Sequence, residues 1–466
     1  MDLDPEPSPW KYLPFELGEC EDLENYEPGG FHPVHLGDVF DDGRYKVVHK
    51  LGFGGFSTVW LARDTTGDRW VAVKIIVARE SPTYEARSTI ASHPSIAGSR
   101  LFSVADKQFW INRPNGRHLC LVMPVLGPSL AKLSKGIYSR IKAGFAKGVS
   151  LQAAQALAHL HANGLCHGDF TVHNIALHLA DEFESYSESR LIELFGLPQT
   201  APVRTYSGKP PRPHAPDCIV VPLDFCSSNT TVLSRDICVI DFDQSFTARD
   251  PPSDRLGIPA NSASDIWALV CAIFRIRSGD DLFFDYDTDC PADALQQIVK
   301  TMGDLPQEWK ETKFDEDGFA VAEGKQGEPI WSLKETRPLK DRVDDIIDEP
   351  PSLFISSQGE AVEAIDTSID DGPDAVVFDE EFRIPYPATM DSMVWKPTAI
   401  CVDGDYFAAY SDETDEMLKA FPRKTASEAA LLSDLLSKTF TCDPAKRITA
   451  EELITHAWFC PAVGSD

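Results

Sequence analysis

Basic residues are scarce in this chain: 43 Lys and Arg stand against 73 Asp and Glu, a formal charge of −30. A sequence-independent grip on nucleic acid needs a basic face, so no direct nucleic-acid partner is expected. An acidic surface favours basic substrates or partners instead. Paired cysteines are missing as well. The eleven cysteines are scattered singly, with no C-x-x-C and no zinc-ligand spacing, which points to reduced thiols of a cytoplasmic and/or nuclear protein. No apolar run approaches the ~18 residues of a membrane span. The start, Met1-Asp2-Leu3-Asp4-Pro5, is acidic where a presequence is positive, so no membrane association or export is expected. No internal repeat is visible. What is present is 43% hydrophobic residues over 466 positions, enough for one large bilobal domain or two to three average ones.

Residues 1–40 are rich in Pro, Glu and Gly and read as an extended, partly ordered lead-in. Three strands follow: Tyr45–Val48 running into Leu51-Gly52, Thr58–Ala62, and Val71–Ile76, with a turn at Gly67-Asp68. Leu119–Met123 is a further strand, ending at Pro124. The pattern then turns helical. Ala143–Asn163 places Phe145, Val149, Ala153, Ala156, Leu157 and Leu160 on one face, with Gly164 as its C-terminal stop. Ser262–Ser278 is a second buried helix. Between them, Lys209-Pro210-Pro211-Arg212-Pro213 is too proline-dense for regular structure. The acidic stretch 310–425 shows few clear elements and reads as a loop-rich excursion with some disorder. Thr449–Trp458 reads as a closing helix, with Thr449 at its N-cap and Glu452 completing a capping box. The expected division is 1–40 lead-in, 41–126 small lobe and 127–463 large lobe, with inserts at 179–235 and 310–425.

Three sites in a fixed order carry chemistry. Leu51-Gly52-Phe53-Gly54-Gly55-Phe56-Ser57-Thr58-Val59 is a glycine turn between two strands, whose backbone N–H groups can close over phosphates because no Cβ intervenes. Lys74 sits on a strand otherwise made of Val71, Ala72, Val73, Ile75 and Ile76, an apolar setting that demands an anion for its ammonium. Leu165-Cys166-His167-Gly168-Asp169-Phe170-Thr171-Val172-His173-Asn174 has the H-x-D-x-x-x-x-N spacing of a phosphoryl-transfer loop. Asp169 is the candidate group to orient the attacking hydroxyl. Asn174, and Asp241 at the end of the apolar run Ile237–Ile240, are the candidate magnesium ligands. His167 reads as a packed core residue rather than a proton shuttle.

Taken together, residues 44–178, 236–285 and 428–460 resemble a eukaryotic protein kinase. The wording Lys50-Leu51-Gly52-x-Gly54-x-Phe56-Ser57-Thr58-Val59-Trp60-Leu61-Ala62 resembles the serine/arginine-rich protein kinases that phosphorylate splicing factors, in a fungal-looking version. The resemblance implies an α+β bilobal fold, with a small antiparallel β-sheet lobe and a larger, mostly helical lobe. It implies ATP and Mg2+ as cofactors, Ser/Thr hydroxyls of Arg/Ser-rich or otherwise basic proteins as acceptors, and action as a monomer. It places Leu51, Gly52, Gly54, Gly55, Ser57, Val59, Ala72, Val125 and Leu126 around the nucleotide. It gives Lys74 a helix glutamate for partner, here Glu85 with Glu80 as runner-up. Asp265, in Ser264-Asp265-Ile266-Trp267, would brace the catalytic loop.

Four departures bear on activity. Gly168 replaces the arginine before the catalytic Asp. Thr171 replaces the lysine two positions after it, removing one charge contact worth roughly 10²–10³ in rate. Asp243 stands where the metal loop usually has glycine. Only 23 residues separate Asp241 from Asp265, Leu256-Gly257-Ile258-Pro259 among them, so the usual substrate platform is short and Arg447 would lack its glutamate. A nucleotide- or partner-binding pseudokinase is therefore the competing reading. A small-molecule phosphotransferase is a third, because His-Gly-Asp-Phe and Asp-Phe-Asp also resemble aminoglycoside and choline kinases.

Overall fold

The structure is a computed structural model. It describes residues 10–460 except 15–16, 88–92, 136–138, 228–231, 253–259, 284–289, 304–310, 316, 318, 322–325, 330–336, 363–391, 398, 409–411 and 413. The chain divides into two compact units, one made chiefly of residues 1–128 and 176–245, the other chiefly of 129–175 and 246–466.

Alternating β-branched and aromatic residues build the first unit's sheet. Its strands are β1 (Val39–Phe40), β2 (Tyr45–Gly54), β3 (Ser57–Asp64), β4 (Arg69–Ile76), β5 (Lys107–Asn112) and β6 (Arg117–Met123), in the order β1-β2-β3-β4-β6-β5. Every neighbouring pair is antiparallel. One face buries Tyr45, Val47, Trp60, Val71, Val73, Ile75, Cys120 and Val122 in a single cluster. Helix α1 (Ser81–Arg87) is tied to the sheet at its first residue. The Ser81 hydroxyl donates to the Val77 carbonyl at 2.9 Å and accepts from the Leu119 N–H at 2.9 Å.

The described lead-in has no strand before β1, yet it is packed: Tyr12, Leu23, Tyr26 and Phe31 are buried with Val77, Val203 and Ile219. Glu21 from this segment forms a buried ion pair with Lys50 and accepts from the Tyr26 hydroxyl at 2.6 Å. Burial pulls the Lys50 ammonium below its ordinary pKa, with Glu21 opposing that shift. Inside the insert, Lys209–Pro213 is turn and coil, as its prolines dictate. Around it the insert holds a helix, Glu188–Phe195, and a hairpin, Thr200–Pro202 with Cys218–Val220.

The second unit is mainly helical. Helix α2 (Ala143–Ala162) buries all six of its expected apolar positions, and Gly164 follows at φ +71°. Helix α3 (Ser262–Ser278) opens on Asn261, whose side chain accepts from the Ala263 N–H at 3.0 Å, and stops at Gly279 with φ +81°. Helix α4 (Ala426–Thr439) joins α3 through buried Arg277, paired with Glu428 at 2.9 Å and with Asp348 at 2.6 Å. The capping box at Thr449 and Glu452 forms, but its helix stops at Leu453 and a separate 3-10 turn covers Ala457–Phe459. Residues 310–425 carry more order than their composition suggests. Strands Phe354–Ile355, Ala399–Val402 and Asp405–Ala408 form a sheet, and Ile347, Ile355, Trp395, Ile400, Met417 and Phe421 are buried together. The disorder expected of this stretch concerns residues outside those described. All eleven cysteines are free thiols. Among the described residues no helix is long and apolar enough to cross a membrane.

Candidate functional site

In the first unit, β2 and β3 deliver the glycine turn and β4 delivers Lys74. Gly54 stands opposite Ser57 and Gly52 opposite Val59, while Val59 faces Lys74 across the β3–β4 ladder. None of Gly52, Gly54 and Gly55 has a positive φ, so backbone geometry does not require glycine there. A Cβ at any of them would meet nothing within 4 Å. Their bareness leaves the turn's upper surface open to a ligand's close approach. Leu51 is partly exposed, Ser57 and Ala72 are buried, and Val125 is buried beside half-buried Leu126 just past β6.

Asp241 follows the strand Leu233–Val239, which is held by reciprocal bonds to segment 101–103: the Val239 N–H donates to Leu101 and the Ser103 N–H donates to Val239. Asp241 adopts the left-handed region, φ +65° and ψ 71°. Phe242 meets Phe102 edge-on at 5.8 Å, which anchors the turn behind it. The Lys74 ammonium reaches Asp241 Oδ1 at 2.5 Å and also donates to the Tyr84 hydroxyl at 2.7 Å. That hydroxyl in turn donates to Asp241 Oδ1 at 2.8 Å, and the ammonium lies 5.0 Å from the Tyr84 ring centre. Burial, reinforced by the carboxylates of Asp241 and Asp243, pushes the Tyr84 phenol far above its ordinary pKa and keeps it neutral.

The expected glutamate partner is therefore corrected. Among the described residues Lys74 is held by Tyr84 and Asp241, while Glu85 lies exposed on α1. Tyr84 is the site residue that motif reading missed. A tyrosine one position before the expected glutamate, on a helix packed against β6, was the available signal.

In the second unit, the loop after α2 gathers the catalytic candidates. The Asn174 amide donates to Asp169 Oδ2 at 2.8 Å and to the Asp169 carbonyl at 2.9 Å, fixing the two side chains together. His167 is fully buried, accepts from the Asp169 N–H at 3.2 Å and packs edge-on against Phe170, as a structural histidine would. Asp265 on α3 accepts from the His167 N–H at 2.7 Å and the Gly168 N–H at 2.9 Å, and contacts His161 at 3.1 Å. Its oxygens are thus committed to shaping the loop. Burial lifts the adjacent Cys166 thiol to about 12, so it stays protonated. Thr171, in the place of the expected lysine, takes part in the turn through the Asn174 N–H bond to its carbonyl.

Arg447 was expected to lack its glutamate, and three other groups meet it. It donates to the Thr441 carbonyl at 3.0 Å and the Ala263 carbonyl at 2.9 Å, and its guanidinium stacks 4.8 Å from the Trp267 ring centre. Backbone carbonyls and an indole replace the missing carboxylate. Leu256–Pro259 of the short connecting stretch lie outside the described residues.

Residues 45–194 match the protein kinase domain family. The matched stretch is less than half of the chain. Its curated relatives include the serine/threonine-protein kinase spk-1 of Caenorhabditis elegans, 34% identical over 183 residues, 37% of this chain and 18% of the relative. SRSF protein kinase 3 of Homo sapiens is 37% identical over 174 residues, 35% of this chain and 30% of the relative. Protein kinase dsk1 of Schizosaccharomyces pombe is 35% identical over 168 residues, 34% of this chain and 30% of the relative. The match therefore spans less than a third of each of these relatives. Strands β2 to β6 of the antiparallel sheet lie within the matched residues, and the mixed helix and strand content agrees with the bilobal kinase fold.

Proposed function

We propose that the chain is an ATP-dependent serine/threonine protein kinase similar to the SRSF protein kinases, transferring the γ-phosphate to Ser/Thr hydroxyls of basic, Arg/Ser-rich proteins. The observation that carries this reading is the contact of Lys74 with Asp241 at 2.5 Å, in the unit that also holds the open glycine turn. An ammonium for phosphates and a carboxylate for a metal already stand side by side there. The donor set fits magnesium and a triphosphate, since carboxylate and amide oxygens suit a hard divalent ion. Asp241 in the first unit and Asn174 in the second are each a candidate ligand for the metal, which neutralises phosphate charge when bound.

The remaining steps belong to the chain's own side chains. The glycine turn offers backbone N–H groups to the phosphates. Lys74 supplies a fixed positive charge to the α/β-phosphates. Asp169, oriented by the Asn174 amide, accepts a hydrogen bond from the attacking hydroxyl and then its proton. The formal charge of −30 suits a basic peptide.

Thr171 and the short stretch between Asp241 and Asp265 favour the second reading, a pseudokinase that binds nucleotide or a partner without transfer. Radiolabel transfer from ATP to an Arg/Ser peptide separates the two. The expected outcome is transfer by the natural chain and loss of at least about 10²-fold in Lys74→Met and Asp241→Asn. Transfer that persists in both variants removes these residues from the mechanism. Thermal stabilisation by ATP without transfer supports the pseudokinase.

A further inference from the structure

We propose that Tyr84 is the positioning residue of the nucleotide site, acting as a neutral bridge where a kinase of this kind places a helix glutamate. The inference rests on the nucleotide-binding part of the proposed function. Three distances carry it: Lys74 to Tyr84 at 2.7 Å, Tyr84 to Asp241 at 2.8 Å and Lys74 to Asp241 at 2.5 Å. The three groups form a closed triangle in which the phenol oxygen accepts from the ammonium while its O–H donates to the carboxylate. A glutamate cannot play this double part. An ionised carboxylate has no proton to donate, and beside Asp241 it would add like-charge repulsion.

The position of Tyr84 is not left to chance. Ser81 locks the start of α1 to the Val77 carbonyl and the Leu119 N–H. The Tyr84 ring packs against the cluster of Ile76, Leu119 and Leu121. The hydroxyl is thereby presented to Lys74 from a helix turn that cannot easily rotate. A phenol is uncharged at neutral pH, so Lys74, Asp241 and Tyr84 sum to zero charge and the nearby Asp243 brings the total to −1, whereas a glutamate in place of Tyr84 would make it −2. The site is thus built to receive a polyanion with less dependence on a metal than a site with one carboxylate more.

Calorimetric titration with ATP, with and without magnesium chloride, tests this on the full chain. Tyr84→Phe keeps the ring and its packing and is expected to weaken ATP about tenfold to a hundredfold in both conditions, the worth of one lost hydrogen bond to a charged group. Tyr84→Glu restores an acceptor for Lys74. It is expected to bind within about threefold of the natural chain with magnesium, and at least about tenfold more weakly without it. Melting temperatures confirm that each variant is folded. Natural-like binding by Tyr84→Phe overturns the proposal, as does a Tyr84→Glu variant whose affinity moves equally in both conditions, because a packing role would not respond to the metal. Lys74→Met separates this failure from a deeper one. If it loses ATP while Tyr84→Phe does not, the kinase reading stands and Tyr84 falls. If Lys74→Met binds like the natural chain, or the natural chain binds no ATP, the nucleotide site and the role of Tyr84 fall together.

Discussion

Asp265 is 2% exposed and holds two backbone N–H groups and an imidazole with one carboxylate. Removing this acceptor strands the buried His167 N–H away from water, whereas the exposed Gly168 N–H can turn to solvent. A buried orphan of this kind costs about 1–3 kcal/mol. Asp265→Ala is expected to lower stability to urea by about 1–3 kcal/mol, and Asp265→Asn by less, because an amide keeps one oxygen. An alanine variant as stable as the natural chain would show that the loop does not depend on this brace. The resemblance to a protein kinase implies this role for Asp265, and it carries over because the role is local and chemical. The same approach misplaced the partner of Lys74. Successive helix residues point about 100° apart, and composition does not fix the phase of a seven-residue helix. Charge favoured Glu85, whereas packing of α1 against β6 turned Tyr84 inward.

At the scale of elements, two glycines of one helix should answer to substitution with opposite signs. Gly164 ends α2 at φ +71°, and a Cβ there would meet nothing within 4 Å, so its cost is purely conformational. Gly164→Ala is expected to lower the unfolding free energy by about 1 kcal/mol. Gly148 lies inside α2 with the same open space. Gly148→Ala is expected to raise stability by about 0.5–1 kcal/mol through helix propensity. Thermal unfolding of the two variants beside the natural chain decides it, and a shared sign would contradict the assigned helix end. The legible elements are those whose burial is written into a local period: β2 to β4, β6, α2 and α3 all match their patterns. The helix Glu188–Phe195 was overlooked although Ser187 caps it and Gly196 stops it at φ +79°. The sheet joining Phe354–Ile355 to Ala399–Val402 was not legible, because its partners lie about 45 residues apart and short strands carry almost no periodic signal.

For the molecule as a whole, acid acts through two opposing effects. Lowering the pH relieves the self-repulsion of a chain with formal charge −30, which favours the compact state. Against this stand three buried histidines of the first unit, His32, His49 and His118, whose pKa values are all lowered chiefly by burial. His32 falls to about 3; it sits 5.0 Å from the His118 ring, whose Nδ1 meets the Ile76 carbonyl. A histidine with a depressed folded pKa binds its proton first in the unfolded chain. Its contribution is whole above the unfolded value of about 6.5 and is lost as the pH falls towards the folded value. Each such histidine steepens the loss by up to about 1.4 kcal/mol per pH unit. Carboxylates held low by hydrogen bonds, such as Asp434 beside Lys438, add their own loss only below their unfolded range near 4. Relief of repulsion is weak in the interval between, because few carboxylates titrate there. Stability to urea is therefore expected to fall from about pH 6.5 to about pH 4.5, and the slope in His32→Gln to be shallower by about one proton. The slope, rather than the absolute stability, is the measurement that matters, since the substitution itself has a cost. An unchanged slope in the variant would mean that His32 is protonated within the native fold and that the lead-in carrying it opens to water before the rest unfolds.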